Sequence, residues 1–146
     1  FQTFGGGVAV FELDNDGYPD VYFPQAGGIP LVHEGKGDNA LFRNIDGSRF
    51  QNVTHSCVLW NRSFGQGAAA GDWNQDGYQD LYVANFGKNT LWQNMGDGTF
   101  LQIPYEEDGE FDKKKWTVSV AIADVNGDGL PDLIDANYAD SKQVLN

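Results

Sequence analysis

Apolar residues in this chain come in short runs, with turn signals such as glycine, asparagine and aspartate recurring every ten residues or so. That is the pattern of short β-strands joined by tight turns, and no window carries convincing helical periodicity. Four kinds of strand recur. A first strand, rich in small residues, is predicted at 7–11, 68–71 and 118–123. A second, apolar throughout, follows as Val21-Tyr22-Phe23, Leu81-Tyr82-Val83-Ala84 and Leu133-Ile134, the pattern of strands buried between neighbouring sheets. A third is predicted at 39–44 and 89–94. It is followed by hairpin turns at Ile45-Asp46-Gly47-Ser48 and Met95-Gly96-Asp97-Gly98, where Asp-Gly is a strong hairpin signal. A fourth lies at 50–53 and 99–103.

The runs align into an internal repeat. Phe4-Gly5-Gly6-Gly7, Phe64-Gly65-Gln66-Gly67 and Trp116-Thr117-Val118-Ser119 occupy matching places, 60 and then 52 residues apart. Four antiparallel strands at such a period make one blade of a β-propeller. The expected fold is therefore all-β, a partial propeller over 1–146, with repeats at 1–60, 61–112 and a truncated third at 113–146. This is about two and a half blades, the third ending inside its third strand at Asn146. Such a chain is expected to be part of a larger ring, with the other blades or further subunits covering its open edges. The link between second and third strands runs 19 residues from Asp20 to Asn39 but 9 from Asp80 to Asn89. The extra residues, within 24–38 and including His33 and Glu34, make the first place to look for recognition, although a solvated glycine-rich loop is the plainer reading.

Between first and second strands each repeat carries the same nine residues. They are Glu12-Leu-Asp14-Asn-Asp16-Gly17-Tyr18-Pro-Asp20, Asp72-Trp-Asn74-Gln-Asp76-Gly77-Tyr78-Gln-Asp80 and Asp124-Val-Asn126-Gly-Asp128-Gly129-Leu130-Pro-Asp132. Oxygen-bearing side chains stand at positions 1, 3, 5 and 9, with glycine at 6. A hard cation takes six to eight oxygens at roughly 2.3–2.6 Å, and glycine allows the turn that points alternate side chains inward. One acidic turn of this kind would be ambiguous; three in register point to Ca²⁺, one ion per loop. The expected side-chain ligands are Glu12, Asp14, Asp16 and Asp20; Asp72, Asn74, Asp76 and Asp80; and Asp124, Asn126, Asp128 and Asp132. The backbone carbonyls of Tyr18, Tyr78 and Leu130 are expected to complete the shells. An EF-hand is excluded, because position 12 is Phe23, Val83 or Asp135 in place of glutamate and the flanks read as strands.

Composition sharpens this picture. The chain has 146 residues, 19 of them glycine, and a formal net charge of −12. Ten of its 21 acidic residues sit in the three loops, and three Ca²⁺ would add +6 to −12, leaving −6. Such acidity argues against nucleic-acid binding, since the only basic run is Lys113-Lys114-Lys115. No run of 18 apolar residues marks a membrane span and no export signal is visible in this chain. Cys57, the single cysteine, reads as a buried apolar filler. Neither His33 nor His55 belongs to a recognisable catalytic constellation. Asn52-Val-Thr54 and Asn61-Arg-Ser63 fit the glycosylation sequon.

The chain resembles the FG-GAP and VCBS repeats of integrin alpha chains and of bacterial and animal proteins related to cartilage acidic protein. The resemblance rests on Phe64-Gly65 with Gly67-Ala68, on the second loop through Leu81, and on Asn94-Met-Gly96-Asp97-Gly98-Thr99-Phe100. It implies a seven-bladed propeller with Ca²⁺ in the loops between first and second strands, on secreted or cell-surface proteins. Glu12 at position 1 and Trp116-Thr117 in place of Phe-Gly depart from the pattern. The expected function is binding of a protein or glycan partner, as in adhesion, with structural calcium, no catalysis, and an extracellular, periplasmic or cell-surface location. The alternatives are a structural subunit of an extracellular filament or matrix, and a non-catalytic portion of a propeller enzyme.

Overall fold

The computed structural model describes residues 6–25, 38–60, 63–104 and 115–140. Most of the insertion at 24–38, including His33 and Glu34, lies outside them. So do Asn61 and the last residues, where a third strand of the third repeat was expected.

Ten strands and no helix are found among the described residues. The first four, β1 (Ala9–Phe11), β2 (Asp20–Phe23), β3 (Ala40–Asn44) and β4 (Phe50–Asn52), form one antiparallel sheet in chain order. The next four, β5 (Phe64–Gly71), β6 (Asp80–Phe86), β7 (Thr90–Asn94) and β8 (Phe100–Ile103), repeat that meander. The last two, β9 (Lys115–Ala123) and β10 (Asp132–Asp140), form the hairpin that begins a third. A single bridge between Phe86 and Trp116, with the Gly87 N–H donating to the Lys115 carbonyl at 2.9 Å, joins β6 to β9.

Several strands run further than the sequence pattern suggested. The strand expected at 68–71 begins at Phe64, because the Phe-Gly pair is itself in the ladder, opposite Phe86 and Asn85, and a bulge at Gln66 lets the strand continue. The strand expected to stop at Ile134 runs to Asp140 with register shifts at 136–139. Polar residues close this extension from the side: the Tyr82 hydroxyl donates to Asp135 at 2.7 Å and the Thr117 hydroxyl to Asn137 at 2.7 Å.

The core lies between the first two sheets. Phe11, Leu13, Tyr22 and Leu41 from one side meet Leu81, Val83, Trp92 and Phe100 from the other, with Cys57 and Leu59 of the connection sealed between them. Phe11 and Phe100 touch edge to face with centroids 6.5 Å apart. Strand β6 is buried along its whole length, as a strand covered on both faces requires. The small residues of the first strands bring neighbouring backbones together. A Cβ on Gly67 would stand 2.8 Å from the Val118 carbonyl oxygen of β9, so glycine is required at this approach.

Candidate metal centres

Each hairpin opens onto its acidic loop at the same register, with Phe11 paired to Asp20, Gly71 to Asp80 and Ala123 to Asp132. Within the loops the same bonds recur. Position 1 accepts from the glycine N–H at position 6: Glu12 from Gly17 at 3.1 Å, Asp72 from Gly77 at 2.9 Å, and Asp124 from Gly129 at 2.9 Å. Position 5 accepts from position 7, where Asp16 takes the Tyr18 N–H, Asp76 that of Tyr78 and Asp128 that of Leu130, at 2.8–2.9 Å. Position 9 reaches back to position 2. Asp20 accepts from Leu13 at 2.8 Å, Asp80 from Trp73 at 2.9 Å and Asp132 from Val125 at 3.1 Å. Gly17, Gly77 and Gly129 hold φ of 86°, 91° and 87°, the left-handed turn that the sequence pattern required.

Position 3 differs between loops. Asn74 and Asn126 accept from the N–H of Asp76 and Asp128 at 3.2 and 2.8 Å. Asp14 instead faces Arg43, whose Nη2 lies 2.5 Å from one Asp14 oxygen and 3.1 Å from Asp16. The other Asp14 oxygen is buried without a hydrogen-bond partner.

Burial and hydrogen bonding act on these carboxyls in opposite senses. Asp20 and Asp80 have no exposed surface, and desolvation raises their pKa against the backbone N–H groups that favour the charged form. Asp76 and Asp124, at the loop surface, are lowered, chiefly by the N–H of Tyr78 and of Gly129 respectively.

The donor set fits a hard, oxygen-seeking cation. Positions 1, 5 and 9 are anionic, position 3 is a carboxylate or amide oxygen, and an oxygen holding one N–H keeps a lone pair for a metal. Among the described residues no three acidic, histidine or cysteine side chains close on one point, and their oxygens are turned onto loop amides instead.

Connections around the loops went unseen in the sequence. Asp20 and Asp80 also accept the N–H of Asn44 and Asn94, at 2.7 and 2.8 Å, tying each loop to the end of the third strand. Asn44 and Asn94 in turn accept from Gly47 and Gly96 in the following hairpin. The rings of Tyr18 and Tyr78 lie against those same two glycines. Position 4 links successive loops: Asn15 donates to the Gly77 carbonyl at 3.2 Å and Gln75 to the Gly129 carbonyl at 2.7 Å. Position 8 contributes once, Gln79 accepting the Glu12 N–H at 2.9 Å. The available signal was the matching pair of amides at position 4, Asn15 and Gln75.

Repeated four-stranded antiparallel units, each carrying an acidic glycine-turned loop between its first two strands, define a propeller-type repeat protein. The FG-GAP-like repeat family matches residues 13–83 and 72–134, and the chain belongs to that family. It is also similar to cartilage acidic protein 1 of Xenopus tropicalis, with 37% identity over 88 residues, 60% of this chain and 13% of that protein. The chain thus spans about an eighth of the length of that relative.

Proposed function

We propose that this chain is a calcium-binding segment of an extracellular, periplasmic or cell-surface propeller whose role is to bind a protein or glycan partner. The three loops would each hold one Ca²⁺ through positions 1, 3, 5 and 9 and the carbonyls of Tyr18, Tyr78 and Leu130. The observation that carries this reading is the identical set of amide bonds that draws carboxylates 1, 5 and 9 onto each of three loops. The metal is structural in this reading. The loops sit between strands and are tied to the neighbouring blade, and their carboxylates repel one another until a cation offsets their charge.

Adhesion or partner binding is supported by kinship with FG-GAP-like repeats and a cartilage protein, and a non-catalytic role agrees with His55 lying exposed at a turn. A location outside the cytoplasm goes with this reading, since extracellular modules bind calcium at ~10⁻⁴–10⁻³ M. The repeats are read as 1–60, 61–112 and 113–146, blades of a seven-bladed ring. Calorimetric titration of the stripped chain with Ca²⁺ tests the reading, with at least two binding events expected and Mg²⁺ taken up more weakly. A melting temperature unmoved by chelator, together with no heat of binding, would leave the loops as acidic turns.

A further inference from the structure

We propose that Arg43 is a resident counter-ion of the first loop, so that this loop closes without calcium and takes the metal more weakly than the second. The inference rests on the reading that the loops bind calcium, and adds that they do so unequally.

Arg43 stands on β3 one residue before Asn44, and Gln93 stands on β7 one residue before Asn94. The two asparagines do the same work, each donating its N–H to the position-9 aspartate of its own loop. Arg43 and Gln93 therefore occupy equivalent places beside equivalent loops. Their contacts overlap at position 5. Arg43 reaches Asp14 and Asp16 at positions 3 and 5, while Gln93 hydrogen-bonds Asp76 at position 5.

The charges have changed together. Loop one carries four carboxylates, Glu12, Asp14, Asp16 and Asp20, where loop two carries three, Asp72, Asp76 and Asp80, with the neutral Asn74 at position 3. The extra carboxylate, Asp14, is the one that Arg43 approaches at 2.5 Å. With the guanidinium included, −4 + 1 gives −3 for loop one, the same as the −3 of loop two.

A metal ion and the guanidinium would compete for the same oxygens. An arginine cannot lose its charge in a protein, so its positive field stays beside the loop when a divalent cation arrives. The contact is also exchangeable. Arg43 uses Nη2 alone on both carboxylates, its Nε has no hydrogen-bond partner, and its side chain is 38% exposed. This lacks the paired geometry that locks an arginine onto a carboxylate, so calcium displaces it only at higher concentration.

Reciprocal exchange tests this in the intact chain. In a background where Asp76→Ala and Asp128→Ala silence loops two and three, R43Q should tighten calcium binding at loop one about tenfold or more by calorimetry. In the otherwise unaltered chain, Q93R should weaken loop two by a similar factor. A second measurement needs no metal: in chelator the melting temperature should fall for R43Q and rise for Q93R. Equal calcium affinity of loops one and two in the unaltered chain, within threefold, with R43Q changing neither affinity nor melting, overturns the proposal. Absence of calcium binding at loop two in the unaltered chain overturns the calcium reading itself, and this inference with it. If the background variant does not fold, Q93R and the melting comparison decide the matter.

Discussion

Replacing Asp80 by alanine should destabilise the chain even when calcium is fully chelated, which distinguishes this carboxylate from the other expected ligands of its loop. Asp80 has no exposed surface. Its two oxygens accept the N–H of Trp73 at 2.9 Å and of Asn94 at 2.8 Å. Hydrogen bonds to a charged group contribute ~1.5–3 kcal/mol each, so the pair amounts to about 3–6 kcal/mol. Burial of the ionised carboxyl opposes this, as its raised pKa records. Because desolvation outweighs those bonds in its effect on the pKa, the loss in Asp80→Ala comes mainly from the two buried N–H groups left without an acceptor, offset in part by the relieved burial of charge, for about 2 kcal/mol. Asp76 is exposed, and in chelator Asp76→Ala removes only surface bonds, those from the Tyr78 N–H and from the Asn74 and Gln93 side chains, for a loss of about 0.5–1 kcal/mol. With saturating calcium each variant also removes an expected ligand of the same ion, and with it linkage stabilisation of about 2.7 kcal/mol at 100 times the Kd, so the difference between them should persist. Urea unfolding of both variants, in chelator and in calcium, followed by tryptophan fluorescence, gives all four values. A loss below 1 kcal/mol for Asp80→Ala in chelator, or equal losses for the two variants there, would refute the structural role of position 9.

Two other outcomes follow from packing. Gly67→Ala places a methyl 2.8 Å from the Val118 carbonyl oxygen, a backbone atom of the neighbouring strand, and should cost about 1–3 kcal/mol; an unchanged urea midpoint would mean that β5 and β9 are not held at this distance. Cys57 is buried in the core between the first two sheets, and desolvation raises its thiol pKa. Its reaction with a soluble disulfide reagent should therefore be slowed ~100-fold or more against the urea-unfolded chain, and a rate equal to the unfolded one would remove Cys57 from the core.

The strand pattern was legible because the repeat supplied several copies of each element, and the runs and turns of one copy could be checked against another. Strand ends were less legible where tertiary contacts override the local signal. Asp135, Asn137 and Tyr138 look like the exit from a strand, yet they remain in the ladder. Tyr82 holds Asp135 from the second sheet, while Thr117 and Trp116 hold Asn137 and Tyr138 from β9 across their own hairpin, and the residues after Ile134 do not announce these partners. Phe64-Gly65 lay outside the expected strand for the opposite reason: the glycine signal is local, whereas the strand continues through a bulge that only the pairing with β6 reveals. The loops were legible as oxygen-rich, glycine-turned segments. Their ties to the rest of the fold were hidden, because Asn94 lies 14 residues from Asp80 and Gly129 lies 54 from Gln75.

Those ties bear on how a bound ion would act. Position 9 reaches the third strand of its own blade, the tyrosine at position 7 in the first two loops lies over the next hairpin, and the amide at position 4 reaches the loop of the following blade. Asn94 adds a return contact, donating from the second sheet to the Leu13 carbonyl of the first loop at 2.8 Å. A cation that tightened one loop would thus press on a strand end, a hairpin and a neighbouring loop together, and the apolar core between the first two sheets lies directly beneath through Leu13, Phe11 and Phe100. The position-4 link depends on an amide side chain, present in Asn15 and Gln75 but replaced by Gly127 in the third loop. Coupling by this route would therefore join the first loop to the second and the second to the third, acting equally in both senses, and the third loop has no position-4 amide with which to extend it.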